Sequence, residues 1–335
     1  MRPALLDRLV CPRCHGSLDC CASSTAPDGD ILAGRLDCAP CRASFPIERG
    51  IPRFVPQDNY ASSFGYQWNL FRREQIDTLN GTGLTARRWE TETAWDASWL
   101  NGKWILDGGC GAGRFLDVVS RNRGCDVVGV DMSNAVDAVR EMLSDRPNVH
   151  LVQASLFELP FRSAAFDGVY CIGVIQHTPD PRRAVASVAA MVRPGGRLAL
   201  TMYERRRFTK WYSKYWFRPV TRHMRPERLL TLIKVTMPIG FALSEVLFRV
   251  PLLGKVFKAV MPVANYVDIK ELSLRQRYQW AILDTFDMLA PAYDSPQRQS
   301  DIVATLTASG IADIRRQSET GLNLVGIKGT TEPHA

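Results

Sequence analysis

Two rhythms of apolar and polar positions divide the 335-residue chain. Up to residue 56, short apolar runs are cut every few positions by Gly, Pro or charge. This predicts a small β-rich module, with the polar stretch 23–30 as a loop. From residue 103, apolar runs of strand length alternate with segments of helical period. Strands are expected at 104–107, 126–131, 149–153, 168–172 and 196–202, and helices at 114–121, 134–143 and 182–192. The alternation stops after 204, where a mainly helical block runs to about 298, and helix 301–309 with strands 311–317 and 322–328 resumes it. The pattern predicts an α/β fold: a doubly wound, mostly parallel, seven-stranded sheet behind a small β module, interrupted by a helical insertion. The expected units are 1–56, 57–102, 103–204, 205–298 and 299–330.

The aromatic distribution sharpens two of these units. Residues 57–102 hold Tyr60, Phe64, Tyr66, Trp68, Phe71, Trp89, Trp95 and Trp99, with a helix expected over 90–100 and Asn101-Gly102 as its stop. At the start of the insertion, Arg205, Arg206, Arg207, Lys210, Lys214, Arg218, Arg222 and Arg225 are interleaved with Phe208, Trp211, Tyr212, Tyr215, Trp216 and Phe217. Helical spacing puts Trp211 with Tyr215, and Tyr212 with Trp216. Three readings compete: a track for single-stranded RNA, a membrane-interface segment, or a lid helix with its aromatics in the core and a solvated basic face. The apolar stretch 229–263 reads as one or two helices broken at Pro238 and Pro251, and its greasiness favours a lipid-like contact through 205–265 over nucleic acid. No run approaches eighteen uncharged apolar residues, so no membrane-spanning helix is expected; the nearest is 235–244.

Composition adds little: 46% apolar, 23% charged and a formal charge of +8 permit an anionic partner without selecting one. The cysteines add more. Cys11, Cys14, Cys38 and Cys41 form C-x2-C…C-x2-C, the spacing of a closed four-thiolate site for a structural Zn2+. Too small for a large core, the module would draw stability from the metal. The first residues show no leader-type apolar run, so a reducing cytoplasm, with contact at a membrane surface, is the expected setting. Cys20, Cys21, Cys110, Cys125 and Cys171 are expected mostly as small buried or half-buried residues.

Gly109, Gly111 and Gly113 follow the first core strand and open a helix. Glycine there lets a ligand touch bare backbone and permits a positive φ. The dinucleotide fingerprint fails, because its last glycine position falls on Arg114 or Leu116. Asp107 precedes the loop, and Asp131 closes the second strand, where a carboxylate can accept both hydroxyls of a ribose; an N-cap role before Asn134 is its plainer alternative.

Leu106-Asp107-Gly108-Gly109-Cys110-Gly111-Ala112-Gly113-Arg114-Phe115 resembles the first motif of the class I S-adenosylmethionine-dependent methyltransferases. Val130-Asp131-Met132-Ser133 resembles the second, Leu159-Pro160-Phe161 with Phe166-Asp167-Gly168-Val169-Tyr170 the third, and Val192-Arg193-Pro194-Gly195-Gly196 the turn before the fifth strand. The resemblance covers 103–204 and is nearest the ubiquinone and menaquinone methyltransferases. It implies S-adenosylmethionine as cofactor, with Asp107 and the glycines at its methionine moiety, Asp131 at the ribose, Met132 on the adenine and Gly173 in the same set. Ala154-Ser155 departs from the family's Gly-Asp pair, leaving the Ser155 hydroxyl and the Leu156 amide to read the adenine ring. Residues 5–56 resemble zinc-ribbon modules found beside or fused to methyltransferases.

His177, just past the fourth strand, is the candidate base or orienting group for the acceptor, with a structural loop histidine as the alternative. The expected activity is methylation of a small, apolar or lipid-like acceptor at O or C. Ribosomal RNA base methylation is a second reading, since some such enzymes carry an N-terminal zinc ribbon, though commonly with a histidine among its ligands. A non-catalytic protein that retains the fold is the third.

Overall fold

The computed structural model describes residues 1–56 and 60–330. After a short helix α1 (Pro3–Leu6), strands β1 (Asp19–Thr25), β2 (Ile31–Asp37), β3 (Ser44–Glu48) and β4 (Ile51–Pro52) form an antiparallel four-stranded sheet, the N-terminal ribbon. The loop expected over 23–30 is shorter than its composition suggests, because β1 continues to Thr25. β1 is an edge strand solvated on both faces, so it needs no apolar alternation.

The start of the expected 57–102 unit, residues 57–59, lies outside the described residues. Beyond it come α2 (Ser62–Leu70), α3 (Asp77–Asn80) and α4 (Leu84–Thr93). The helix expected over 90–100 is the tail of α4. The Asp77 carboxylate takes the Thr85 and Ala86 N–H groups at 3.1 and 2.8 Å and so fixes the start of α4 early. Ala94, at φ +55°, then ends it, and Trp95 packs on the sheet from a loop.

The core follows as β5 (Trp104–Gly108), α5 (Arg114–Val119), β6 (Asp126–Asp131), α6 (Ala135–Met142), β7 (Val149–Gln153), β8 (Phe166–Ile172), α7 (Pro181–Ala190) and β9 (Val192–Met202). The insertion comprises α8 (Lys214–Thr221), α9 (Pro226–Leu247), α10 (Gly254–Val260) and α11 (Leu274–Leu289). Then α12 (Gln299–Ala308), β10 (Ile311–Arg316) and β11 (Leu322–Lys328) close the sheet. The strand order is β10-β11-β9-β8-β5-β6-β7, parallel from β9 to β7, with β11 antiparallel to both its neighbours. This is the doubly wound seven-stranded sheet the alternation predicts.

Period-two alternation sends strand side chains to two separate cores. Leu106, Val128, Val169 and Leu200 pack with α7 and with Leu5, Leu9 and Phe45 of the ribbon. Ile105, Val127 and Tyr170 pack with α5, α6, Trp89 and Trp95. The ribbon also covers the β7 edge. Phe54 N–H donates to the Gln153 carbonyl at 2.8 Å, and the buried Arg53 guanidinium reaches Gln153 Oε1 at 2.7 Å and Asp137 at 2.8 Å. Cys110, Cys125 and Cys171 are buried as expected, Cys20 is half-buried and Cys21 is exposed.

The insertion departs from its expected form in three ways. α9 runs through Pro238 without a break, and only Pro251 falls in a turn. Pro238 lies on the solvated side, where water can take the Lys234 carbonyl that its missing N–H leaves free. At 22 residues and mean hydropathy 1.5, α9 is by length and composition apolar enough to cross a membrane, yet a third of that stretch is buried within the protein. Finally, Trp211 ends a 3-10 turn and α8 begins only at Lys214, so the aromatic pairs do not share a helix. Phe208, Trp211, Tyr212, Trp216 and Phe217 are exposed rather than held in a core.

Candidate active site

In the ribbon, the Sγ atoms of Cys11, Cys14, Cys38 and Cys41 all lie within 4.8 Å of one another, with Cys11–Cys41 at 3.5 Å and Cys14–Cys38 at 3.4 Å. Four sulfurs around one zinc ion stand ~3.8 Å apart, so this donor set fits a closed tetrahedral Zn2+ site. Two matching knuckles build it. Cys11 N–H bonds the Gly16 carbonyl at 2.9 Å, and Cys38 N–H bonds the Ala43 carbonyl at 2.8 Å. His15 and Arg42, each just after the second cysteine of its pair, both take left-handed φ values of +56° and +58°. Four thiolates leave no open coordination position, and the metal's role is structural.

The glycine loop caps the C-terminal ends of β5 and β6, where open α/β sheets hold their ligands. Gly109 and Cys110 both donate to the Val130 carbonyl, at 2.7 and 2.9 Å, and Gly111 N–H donates to Asp131 Oδ2 at 2.9 Å. Gly109 and Gly111 hold φ +83° and +52°. A Cβ would lie 2.5 Å from Val174 at the first and 3.1 Å from the Trp68 indole at the second. Both sites need glycine on conformation and on space.

These residues line one cavity of about 610 Å³, together with Met132, Leu156, Gly173 and His177. Three expected cofactor residues stand outside its lining. Gly113, at φ +80°, faces Val139 of α6, so its missing side chain serves the packing of α5. Asp107 is buried and accepts from the Tyr170 hydroxyl at 3.0 Å, and burial pushes its pKa up to about 8. The Ser155 hydroxyl is turned away to take the Phe157 N–H at 3.2 Å, closing its own turn.

Asp131 accepts three hydrogen bonds without capping a helix. Its Oδ1 accepts from the Ser133 amide and hydroxyl at 2.8 and 2.7 Å, while α6 starts at the N-cap Asn134 without a side-chain cap bond. Burial raises its pKa, and these hydrogen bonds pull the other way. A carboxylate has about four acceptor positions, and with three taken one remains, on Oδ2, for a ligand hydroxyl.

Across the cavity, His177 ends a 3-10 turn after β8, between the rings of Phe64 (5.2 Å) and Tyr203 (5.5 Å). Its Nδ1 lies 3.0 Å from the Tyr293 carbonyl, which can only accept, so Nδ1 carries the proton. Nε2 is buried with no hydrogen-bond partner among the described residues. Burial lowers the imidazole pKa to about 4. The ring is therefore neutral, with one lone pair free to accept a proton.

The far wall was not legible in the sequence. Asp284 and Asp287, one turn apart on α11, reach the cavity, where Asp284 accepts from the Tyr266 hydroxyl and, at 3.2 Å, from Gln75. Burial raises both acids to about 6. Arg114 joins through Gln75 at 2.5 Å, with burial lowering its pKa to about 10. The one sequence signal was the pair of acids three apart within the apolar second half of α11. The segment after α11, whose Tyr293 carbonyl holds His177, is fixed from within the insertion: Lys214 and Tyr215 bind Asp294 at 2.8 and 3.0 Å, and Arg218 binds the Pro291 carbonyl at 2.8 Å.

Residues 106–200 match the methyltransferase-domain family, and residues 2–50 match the Trm112p-like protein family. The core is a methyltransferase domain. The ubiquinone biosynthesis O-methyltransferase of Coxiella burnetii (strain RSA 493 / Nine Mile phase I) is 32% identical over 108 residues, covering 32% of this chain and 46% of that protein. The enzyme of the same name from Acinetobacter baumannii (strain AYE) is 35% identical over 113 residues, covering 32% and 47%. The chain spans about half the length of these curated relatives. Among solved structures, the complex between the Haloferax volcanii Trm112 methyltransferase activator and a methyltransferase is similar at a TM-score of 0.43 and 12% identity, covering 84% of this chain and 100% of that one.

Proposed function

We propose that the protein transfers a methyl group from S-adenosylmethionine to a hydroxyl of a small, apolar or lipid-like acceptor. One observation carries this reading: a glycine floor, a carboxylate and the ring of His177, whose buried Nε2 has no hydrogen-bond partner among the described residues, line the same cavity. The cofactor would lie with its methionine part against the backbone of Gly109 and Gly111, its ribose on Asp131 and its adenine by Met132 and Leu156, with Gly173 alongside. Bound there, it supplies an electrophilic methyl group on a sulfonium. His177 Nε2 takes the acceptor's hydroxyl proton, while the Tyr293 carbonyl holds Nδ1–H and fixes the ring. Asp294 lies close enough to favour the imidazolium that results. Phe64, Phe71 and Trp280 line the acceptor side and exclude water. The names of the ubiquinone O-methyltransferase relatives support an apolar acceptor.

Calorimetry with S-adenosylmethionine, followed by assays on phenolic and lipid-extract acceptors, tests the reading. Asp131→Ala should weaken cofactor binding by at least about tenfold. His177→Ala should leave that binding intact and lower kcat by roughly 10²–10⁴. Because burial holds the His177 pKa near 4, kcat/KM should show no inflection at a histidine's usual 6.5 and should fall only toward pH 4. Cofactor binding without transfer to any extract would leave a binding protein, and transfer to ribosomal RNA would assign a different acceptor.

A further inference from the structure

We infer that the outer face of the insertion is a docking surface for an anionic lipid bilayer, with α9 lying in the interfacial plane. This goes beyond the methyl-transfer reading and stands on different residues.

The charge is localised. Residues 205–263 carry thirteen Lys and Arg against two acids, while the rest of the chain carries 29 against 32. The whole positive excess of the protein therefore sits in the insertion. Among the described residues, Arg207, Lys210, Arg225, Arg228, Lys234 and Lys255 form no ion pair.

The apolar surface is localised in the same segment. On α9, Leu229, Ile233, Met237, Phe241 and Ser244 face inward, while Leu232, Val235, Ile239, Leu243 and Val246 form the opposite stripe, all exposed, with Ile239 at 71%. Leu252, at 94%, and Leu253 cap its end. The Ser213 N–H donates to the Ala259 carbonyl at 2.7 Å, which sets Trp211 and Tyr212 beside the exposed Val256 and Val260 of α10. An aliphatic stripe edged by Trp, Tyr and unpaired cations is the arrangement of an interfacial helix.

Charge complementarity selects the occupant. A second copy would bring thirteen like charges against thirteen. RNA could use the cations and aromatics, but the aliphatic stripe of α9 offers it neither stacking nor hydrogen bonds. An anionic bilayer satisfies both parts: headgroups meet the Lys and Arg, and the acyl boundary takes the stripe. α9 does not span, because its inner stripe is committed to the core with α11.

The test is co-sedimentation of the full chain with vesicles of phosphatidylcholine, with and without phosphatidylglycerol, at low salt and at salt on the order of 0.5 M. Partition should require phosphatidylglycerol and weaken with salt. Val235→Asp/Ile239→Asp and, separately, Arg207→Glu/Lys210→Glu should each reduce it about tenfold. Circular dichroism, melting temperature and zinc content should be unchanged, as all four residues are exposed. No partition by the wild-type chain would overturn the inference, as would equal partition of both variants. A concentration-dependent dimer abolished by the Asp variant would assign the face to a second copy, and salt-sensitive RNA retention without vesicle binding would assign it to RNA.

Discussion

The ribbon and the insertion are both additions to one methyltransferase core, and they treat their surfaces in opposite ways. Among the described residues, fifteen of the twenty exposed large apolar side chains lie between 208 and 260, and none lies in the ribbon. The ribbon joins the core through paired charge and backbone bonds on the β7 edge, with Arg53 shared by Gln153, Asp137 and Glu48. The insertion buries acids instead: Asp284 and Asp287 meet the core without an ion pair among the described residues. The ribbon thus closes a fold, and the insertion turns an unfinished surface outward.

The metal gives the largest effect that could break this comparison. Zinc-dependent small modules draw ~10–16 kcal/mol from their metal, so Cys38→Ala or chelation should unfold the ribbon, uncover the β7 edge and aggregate the protein on heating. Metal counting alongside a thermal melt checks it; a zinc-free chain melting at the wild-type temperature would show the ribbon to be held by packing alone. Next comes Arg53→Ala, which strips a buried guanidinium from Gln153 and Asp137 and should cost about 3 kcal/mol in urea unfolding. Arg49→Ala, whose exposed guanidinium pairs with Asp137 and Glu141, should cost under about 1 kcal/mol. Equal losses would mean that the ribbon seam is not a desolvated one.

The ribbon and core were legible because their signals are local. Four cysteines at fixed spacing and a strand–glycine–helix run each need only a few neighbouring residues to be read. Asp107, Gly113 and Ser155 stand outside the cavity lining because motif position does not say what a residue packs against: Tyr170, Val139 and the Phe157 amide, set by tertiary contact, are their neighbours. The far wall was illegible for the same reason. Gln75 and Asp284 are 209 residues apart in sequence and meet only because α11 folds back onto the extension. Trp211 and Tyr215 were expected on one helix face, but α8 starts too late to hold both.

Asp287 sharpens the electrostatic side of the contrast. Burial raises its pKa from 3.8 to about 6, so the folded state holds the proton more tightly than the unfolded chain. That contribution to stability is complete below about 3.8 and is lost as pH rises through about 6. Asp287→Asn cannot ionise, so it should be close to neutral near pH 4 and stabilising by about 2 kcal/mol at pH 8. Thermal melts across that range check the sign, and a variant that destabilises equally at both ends would mean that the ionised carboxylate is wanted.

The smallest expected effect bears hardest on the outward face. Ile239 and Ile233 share α9, a turn and a half apart and on opposite sides. Ile233→Ser would open a cavity and bury a hydroxyl in the insertion's core, costing about 3 kcal/mol or more. Ile239→Ser removes surface already in water, and its effect on urea unfolding should stay within ~0.5 kcal/mol. A loss above about 1 kcal/mol at Ile239 would mean that the stripe is packed within the protein in solution, leaving nothing exposed for a bilayer to take. A near-zero change leaves the apolar stripe without a folding role. Its five large side chains then answer to what the face meets, not to what the chain must bury.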